Sequence, residues 1–140
     1  MVAQASIQLK NDLAELERLS QAIADFGAES GLSAQFLFSV NLALGEIVTN
    51  VISYGYEDSG DHMITVRFLL GEGELTAEVE DDGRPFNPLD APEPDLDAPL
   101  EDRPIGGLGI HLVRKVMDRL EYRRRAGKNL LVMKKRVEQG

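Results

Sequence analysis

The sequence predicts an α+β fold, a two-layer sandwich in which one sheet is covered on one face by three helices, and three observations carry that prediction. Apolar residues recur at helical spacing in two successive stretches of the N-terminal half, they alternate as strands in two hairpins, and a third helical stretch lies between those hairpins. The resulting order, βααββ, loop, αββ, keeps helices apart from hairpins, whereas a doubly wound parallel sheet would interleave them. With 140 residues, 43% of them hydrophobic, the chain has the length and apolar content of a single domain, expected over residues 1–140.

Ile7 and Leu9 alternate with Ser6, Gln8 and Lys10 as a short first strand. Asn11-Asp12 followed by Glu15 has the form of a capping box, and Leu13, Leu16, Leu19, Ile23 and Phe26 then define one apolar helix face, with Gly27 or Gly31 as the stop. Ser33 is the expected N-cap of a second helix whose stripe is Phe36, Val40, Leu44, Ile47 and Val51 and whose end lies near Tyr54-Gly55. Ile64, Val66, Phe68 and Leu70 alternate, and Gly71-Glu72-Gly73 turns the chain into Leu75, Ala77 and Val79.

All six prolines lie between Pro85 and Pro104, interleaved with Asp90, Glu93, Asp95, Asp97, Glu101 and Asp102, which excludes a central helix or strand there. Ile110, Val113, Val116, Met117 and Leu120 mark a third helix, opened by Gly106-Gly107-Leu108-Gly109. Leu120 to Arg125 and Leu130 to Val137 form the last hairpin, turned at Ala126-Gly127-Lys128-Asn129.

A formal charge of -9 argues against a general nucleic-acid or anionic-membrane partner, since either demands an exposed basic surface. No cysteine is present, so disulfides, thiol chemistry and Cys/His zinc sites are excluded. The first residues lack the charged start and apolar run of a signal peptide, and no later run approaches a membrane span, so a cytoplasmic protein is expected. His62 and His111 have no partner at metal spacing and read as surface residues, and Arg123 to Arg125 read as a solvated strand face.

Three segments carry chemistry. Glu46 and Asn50, four residues apart, lie roughly 40° apart on a helix of about 100° per residue and can address one ligand together. Asn50 offers the neutral hard oxygen that Mg²⁺ accepts beside waters and phosphates, and Glu46 could take a proton from a hydroxyl or water attacking a γ-phosphate. A solvated helix flank would carry the same two residues, so the pair alone leaves both readings open. Asp81, in register with Val79 at the end of a strand, should point inward, where a carboxylate can accept from an amino group such as that of adenine. Gly106-Gly107-Leu108-Gly109 offers bare N–H groups and a helix N-terminus to an anion, without the Gly-Lys-Ser/Thr of a Walker motif.

In this order the three segments resemble the motifs of the Bergerat-fold (GHKL) ATPases, the group of DNA gyrase and the histidine kinases. Leu42 to Asn50 looks like the N-box, Val79 to Pro88 like the first glycine box, Ile105 to Asp118 like the second, and the loop over about 84–106 like the ATP lid. The wordings Asp-Asp-Gly-Arg-Pro-Phe-Asn-Pro and Gly-Gly-Leu-Gly-Ile-His-Leu-Val-Arg are most similar to the small bacterial anti-sigma-factor serine kinases. The resemblance implies the Bergerat sandwich with a mixed, mostly antiparallel sheet, ATP and Mg²⁺ as ligands, Glu46 as catalytic base and Asn50 as metal ligand. It further implies Asp81 as the adenine reader, Gly83 and Phe86 in the nucleotide pocket, and Gly106, Gly107, Leu108 and Gly109 on the phosphate side.

It also implies a homodimer that phosphorylates a serine of a STAS-type antagonist and sequesters a sigma factor. Two other readings stand beside it, a nucleotide-binding module that sequesters a partner without phosphotransfer and a scaffold that has lost its nucleotide. Pro85 takes the place of the second glycine of Asp-x-Gly-x-Gly, and Lys128-Asn129-Leu130 stands where many members carry a threonine. From Pro88 to Pro104, six carboxylates with Arg103 as the one base would repel a triphosphate, so an open, mobile lid is expected without nucleotide.

Overall fold

The computed structural model describes residues 3–58, 60–87 and 107–137, so Gly106 and the expected lid beyond Asn87 lie outside the described residues. Five strands form one sheet in the order β1-β2-β3-β5-β4: β1 Ala3–Lys10, β2 Met63–Gly71, β3 Glu74–Asp81, β4 Arg119–Arg125 and β5 Lys128–Arg136. Three helices, α1 Leu16–Ser30, α2 Ala34–Tyr54 and α3 Gly107–Val116, share one core with the inward residues of the sheet.

Every adjacent pair of described strands is antiparallel, so the parallel component of the expected mixed sheet is absent. The connections explain this. α1 and α2 run as a helical hairpin that returns the chain to the end of β1 where it left, which makes β2 antiparallel. The β3–α3–β4 crossover makes β3 and β4 run the same way, but β5 inserts between them and pairs antiparallel with both.

Of the strand residues chosen by alternation, Leu9, Ile64, Val66, Phe68, Leu75, Ala77 and Val79 are buried and Ile7 and Leu70 partly so, and Leu131 and Met133 of β5 join them on the face toward the helices. Each fully buried side chain among these, other than that of Ala77, stabilises the fold by about 1.5–3 kcal/mol. Phe26 of α1 stacks on Phe68 of β2 with ring centroids 5.5 Å apart, which ties the helical layer to the sheet. α2 lies between α1 and α3, which explains a helix long and apolar enough to cross a membrane by length and composition, contrary to the sequence expectation. Its apolar residues Val40, Ala43, Leu44, Ile47 and Val48 are instead buried in the core.

Helix starts follow the expected caps with one adjustment. Asp12 Oδ1 accepts the Ala14 N–H at 2.9 Å and opens a short 3₁₀ turn over Leu13–Glu15, while Glu15 Oε1 reaches back to the Lys10 N–H at 2.9 Å. Ser33 Oγ accepts the Phe36 N–H at 3.1 Å, as expected for an N-cap. Of the two candidate stops for α1, Gly31 at φ 71° is the one used; Gly27 is helical and leaves room for Leu37 of α2.

Two boundaries differ from expectation. α3 ends at Val116, before Leu120, because Asp118 is captured by β5, donating its N–H to the Lys134 carbonyl at 2.9 Å and accepting the Arg136 N–H. Leu120 therefore belongs to β4. The final turn is Ala126-Gly127 alone, at φ 54° and 79°, so Lys128 and Asn129 are strand residues rather than turn residues.

Candidate functional site

α2, β3, β5 and α3 line a cleft with about 440 Å³ of empty space counted through its open mouth. Its walls are largely apolar, from Ile47, Val51, Val79, Ile110 and Leu131, and suit a flat ring system. Three buried polar residues interrupt them: Asn50 (8% exposed), Asp81 (5%) and Asn129 (5%).

Asn50 is buried because it extends the inward face of α2 by one turn beyond Glu46 and Ile47. Its Nδ2 is buried with no hydrogen-bond partner among the described residues, so the fold leaves this donor unused. Glu46 is half-buried on the same helix, one turn earlier, and does not line the cavity.

Asp81 faces inward from the last position of β3, as its parity with Val79 requires. Its Oδ1 accepts the Gly83 N–H at 2.9 Å and the Asn129 Nδ2–H at 3.0 Å. Both described contacts fall on Oδ1, which leaves Oδ2 as the oxygen able to accept from a ligand. Burial pushes the Asp81 carboxyl above its ordinary range, with Asn129 and the Gly83 N–H pulling the other way.

Gly83 holds the turn that follows. Its carbonyl accepts from Arg124 Nη1 at 2.8 Å, and the Arg84 N–H donates to the Gly55 carbonyl at 2.8 Å, so the loop after β3 is bonded to the end of α2. Arg84 and Phe86 line the cavity, and the Phe86 ring remains half open to solvent. Gly107, Leu108 and Gly109 form the first turn of α3, whose Ile110 reaches the cavity wall. The structure thus brings Asn50, Asp81 and Phe86 into one cavity, sets Gly83 behind it and Glu46 one helical turn away, and leaves Gly106 undescribed.

Three residues escaped the sequence reading. Asn129, assigned to a turn, is a buried hub; its inward parity with Leu131 and Met133 was the signal that could have found it. Arg124, assigned to a solvated face, shares the inward parity of Leu120 and Tyr122 and reaches Gly83 and Asn129. His62, assigned to the surface, stacks on Tyr56 at 4.1 Å, with Nε2 2.8 Å from Asp58 and Nδ1 3.1 Å from Asp82. Asp58 lies four residues before it, a spacing that could have pointed to the pair, whereas only folding brings Asp82 to it. The Asp58 carboxylate, and then Asp82, hold the imidazole above its ordinary pKa, and Asp58 is correspondingly lowered by His62. The neighbouring Tyr56 hydroxyl is pushed up by burial first and by Asp81 and Asp82 second.

Comparison with known proteins gives concordant matches. The family described as histidine kinase-like ATPase domain matches residues 9–135. A serine/threonine-protein kinase, BtrW, of Bordetella bronchiseptica is 30% identical over 101 residues, 72% of this chain and 71% of that protein. An anti-sigma F factor of Clostridium acetobutylicum is 30% identical over 122 residues, 81% of this chain and 80% of that one. A crystal structure of the RsbU and RsbW domains of a Mycobacterium tuberculosis protein superposes with a TM-score of 0.71 at 17% identity, covering 99% of this chain and 33% of that chain.

Proposed function

The chain belongs to the histidine kinase-like ATPase domain family, among the anti-sigma-factor serine kinases, and from that premise we propose that it transfers the γ-phosphate of Mg·ATP to a serine of a small STAS-type antagonist protein. One observation carries the reading: Asn50, with an unpartnered buried amide nitrogen, and Asp81, with one carboxylate oxygen uncommitted, line the same apolar cavity. The donor set fits the ligands. The apolar walls take the adenine ring, Asp81 Oδ2 accepts its amino group, and the first turn of α3 offers N–H groups and the positive end of a helix to the phosphates. Asn50 would hold Mg²⁺ through its neutral side-chain oxygen, and the bound ion would offset the charge that develops on the phosphate oxygens.

In this mechanism Glu46 accepts the proton of the incoming serine hydroxyl as its oxygen bonds to the γ-phosphorus, and the bond from that phosphorus to the β–γ bridging oxygen breaks to release ADP. The partners are the antagonist and a sigma factor, the active form is a homodimer, and the setting is the cytoplasm. Incubation with labelled ATP and a STAS-type partner tests the proposal directly. Stoichiometric phosphoserine on the partner is expected; nucleotide binding with no labelled partner would favour sequestration without phosphotransfer, and no binding at all a scaffold that has lost its nucleotide.

A further inference from the structure

Asn129 makes five hydrogen bonds, and their pattern leaves no freedom in its orientation. Nδ2 donates to Asp81 Oδ1 at 3.0 Å and to the Arg84 carbonyl at 2.8 Å, both groups that only accept. Oδ1 accepts from the Tyr122 hydroxyl, from Arg124 Nη1 at 3.1 Å and from the Phe86 N–H at 3.4 Å, the last two groups that only donate. Reversing the amide would set donor against donor and acceptor against acceptor. No other side chain type supplies two donors and a triple acceptor at that size; a threonine hydroxyl has one hydrogen to give.

The amide therefore stands between a carboxylate and a guanidinium. Asp81 lies on its donor side and Arg124 on its acceptor side, and the register pairs residues 81 and 129 directly across β3 and β5. Arg124 on β4 already reaches across β5 to the Gly83 carbonyl. Without the intervening amide it would pair with the buried Asp81 carboxylate, and a bidentate guanidinium would occupy both carboxylate oxygens.

We propose that Asn129 is a positioning residue that keeps Asp81 apart from Arg124 and so sets base selectivity, holding one carboxylate oxygen free for the amino group of adenine. The inference rests on the ATP reading of the cavity. Hypoxanthine differs from adenine in presenting a carbonyl oxygen where adenine presents the amino group, so a free carboxylate oxygen attracts the one and repels the other. In this arrangement Asn129 acts on the base through Asp81 and on the loop root through Arg84 and Phe86.

Calorimetric titration of ADP and IDP into the whole chain, with Mg²⁺, tests this. The unaltered protein should prefer ADP by about 100-fold or more. Asn129→Ala is expected to lower the preference about tenfold, chiefly through weaker ADP binding. Adding Arg124→Ala to that variant should recover part of the preference, because the competing cation is gone. If Asn129 were merely structural, the double variant would be no better than the single one, and that result would overturn the proposal. An unchanged preference in a folded Asn129→Ala protein would overturn it too. Should that variant not fold, Asn129→Ser, too short to bridge the pair, carries the same expectation with the same consequence. Failure of the unaltered protein to bind either nucleotide would remove the ATP reading and this inference together, whereas ADP preference insensitive to residue 129 removes the inference alone.

Discussion

Gly83 lies so close to Gly55 that a Cβ on residue 83 would stand 2.4 Å from the Gly55 carbonyl oxygen, the oxygen that also accepts the Arg84 N–H. The helix that carries Asn50 and the strand that carries Asp81 are thereby joined through backbone alone. Gly83→Ala must push the two apart. It is expected to cost about 1–3 kcal/mol, to lower the melting temperature by roughly 5 °C, and to reduce the extra stabilisation given by Mg·ADP. Thermal melts with and without the nucleotide measure both effects, and an unchanged melting temperature would show that the contact relaxes at no cost.

Asn50 and Glu46 should separate binding from transfer. Glu46→Ala is expected to slow phosphotransfer by about 100- to 10,000-fold while ADP affinity stays within a few fold. Asn50→Leu, close to Asn in size, removes a buried amide nitrogen that has no partner, so it should raise the melting temperature of the nucleotide-free protein while weakening Mg·ATP binding. Full activity in the Glu46 variant, or unchanged Mg·ATP affinity in the Asn50 variant, would remove the respective role.

Asp81→Asn should exchange base preference rather than only abolish it. The new Oδ1 can keep the Gly83 and Asn129 donors, and the new Nδ2 would face the base as a donor. ADP affinity is expected to fall about 100-fold and the ADP-to-IDP ratio to move toward IDP. Equal losses for both nucleotides would mean that this carboxylate does not read the base.

His62 should make stability depend on pH. Two ionised carboxylates accept from its two ring nitrogens, which requires the imidazolium. Its folded-state pKa is raised, so its contribution is fully present below its ordinary value of 6.5 and is lost as pH rises through the higher folded value. Asp58, lowered by the same contact, contributes above its own ordinary value and loses that contribution as pH falls through the depressed one. The melting-temperature difference between the unaltered protein and His62→Asn should therefore shrink from pH 6 towards alkaline pH, and a difference flat across that span would mean that His62 is uncharged when folded.

The elements that sequence periodicity could reach are those whose period has one physical cause. Leu9, Val66, Val79 and Met133 alternate because one sheet face is buried, and Asp81 was placed inward by the same parity. Helical spacing set Asn50 one turn beyond Glu46 but left open whether it is buried. Asn129 was lost because Gly, Lys and Asn are ordinary turn residues, and nothing local shows that Ala126 takes a positive φ and closes the turn in two residues. Arg124 and His62 have near partners in Asn129 and Asp58, but their contacts to Gly83 and Asp82 come from segments distant in the chain that only the completed sheet brings together.

The strand order β1-β2-β3-β5-β4 bears on the kinetics of folding. β2–β3 and β4–β5 can each form as a local hairpin, whereas the β3–β5 seam, like the β1–β2 pairing, joins distant segments, its Asp81–Asn129 bond closing 48 residues of chain. If that seam forms after the rate-limiting barrier, nucleotide finds no pocket in the transition state. ADP should then slow unfolding and leave the refolding rate unchanged, making the ligand a brake on opening rather than a template for assembly; stopped-flow refolding accelerated by ADP would place the seam before the barrier.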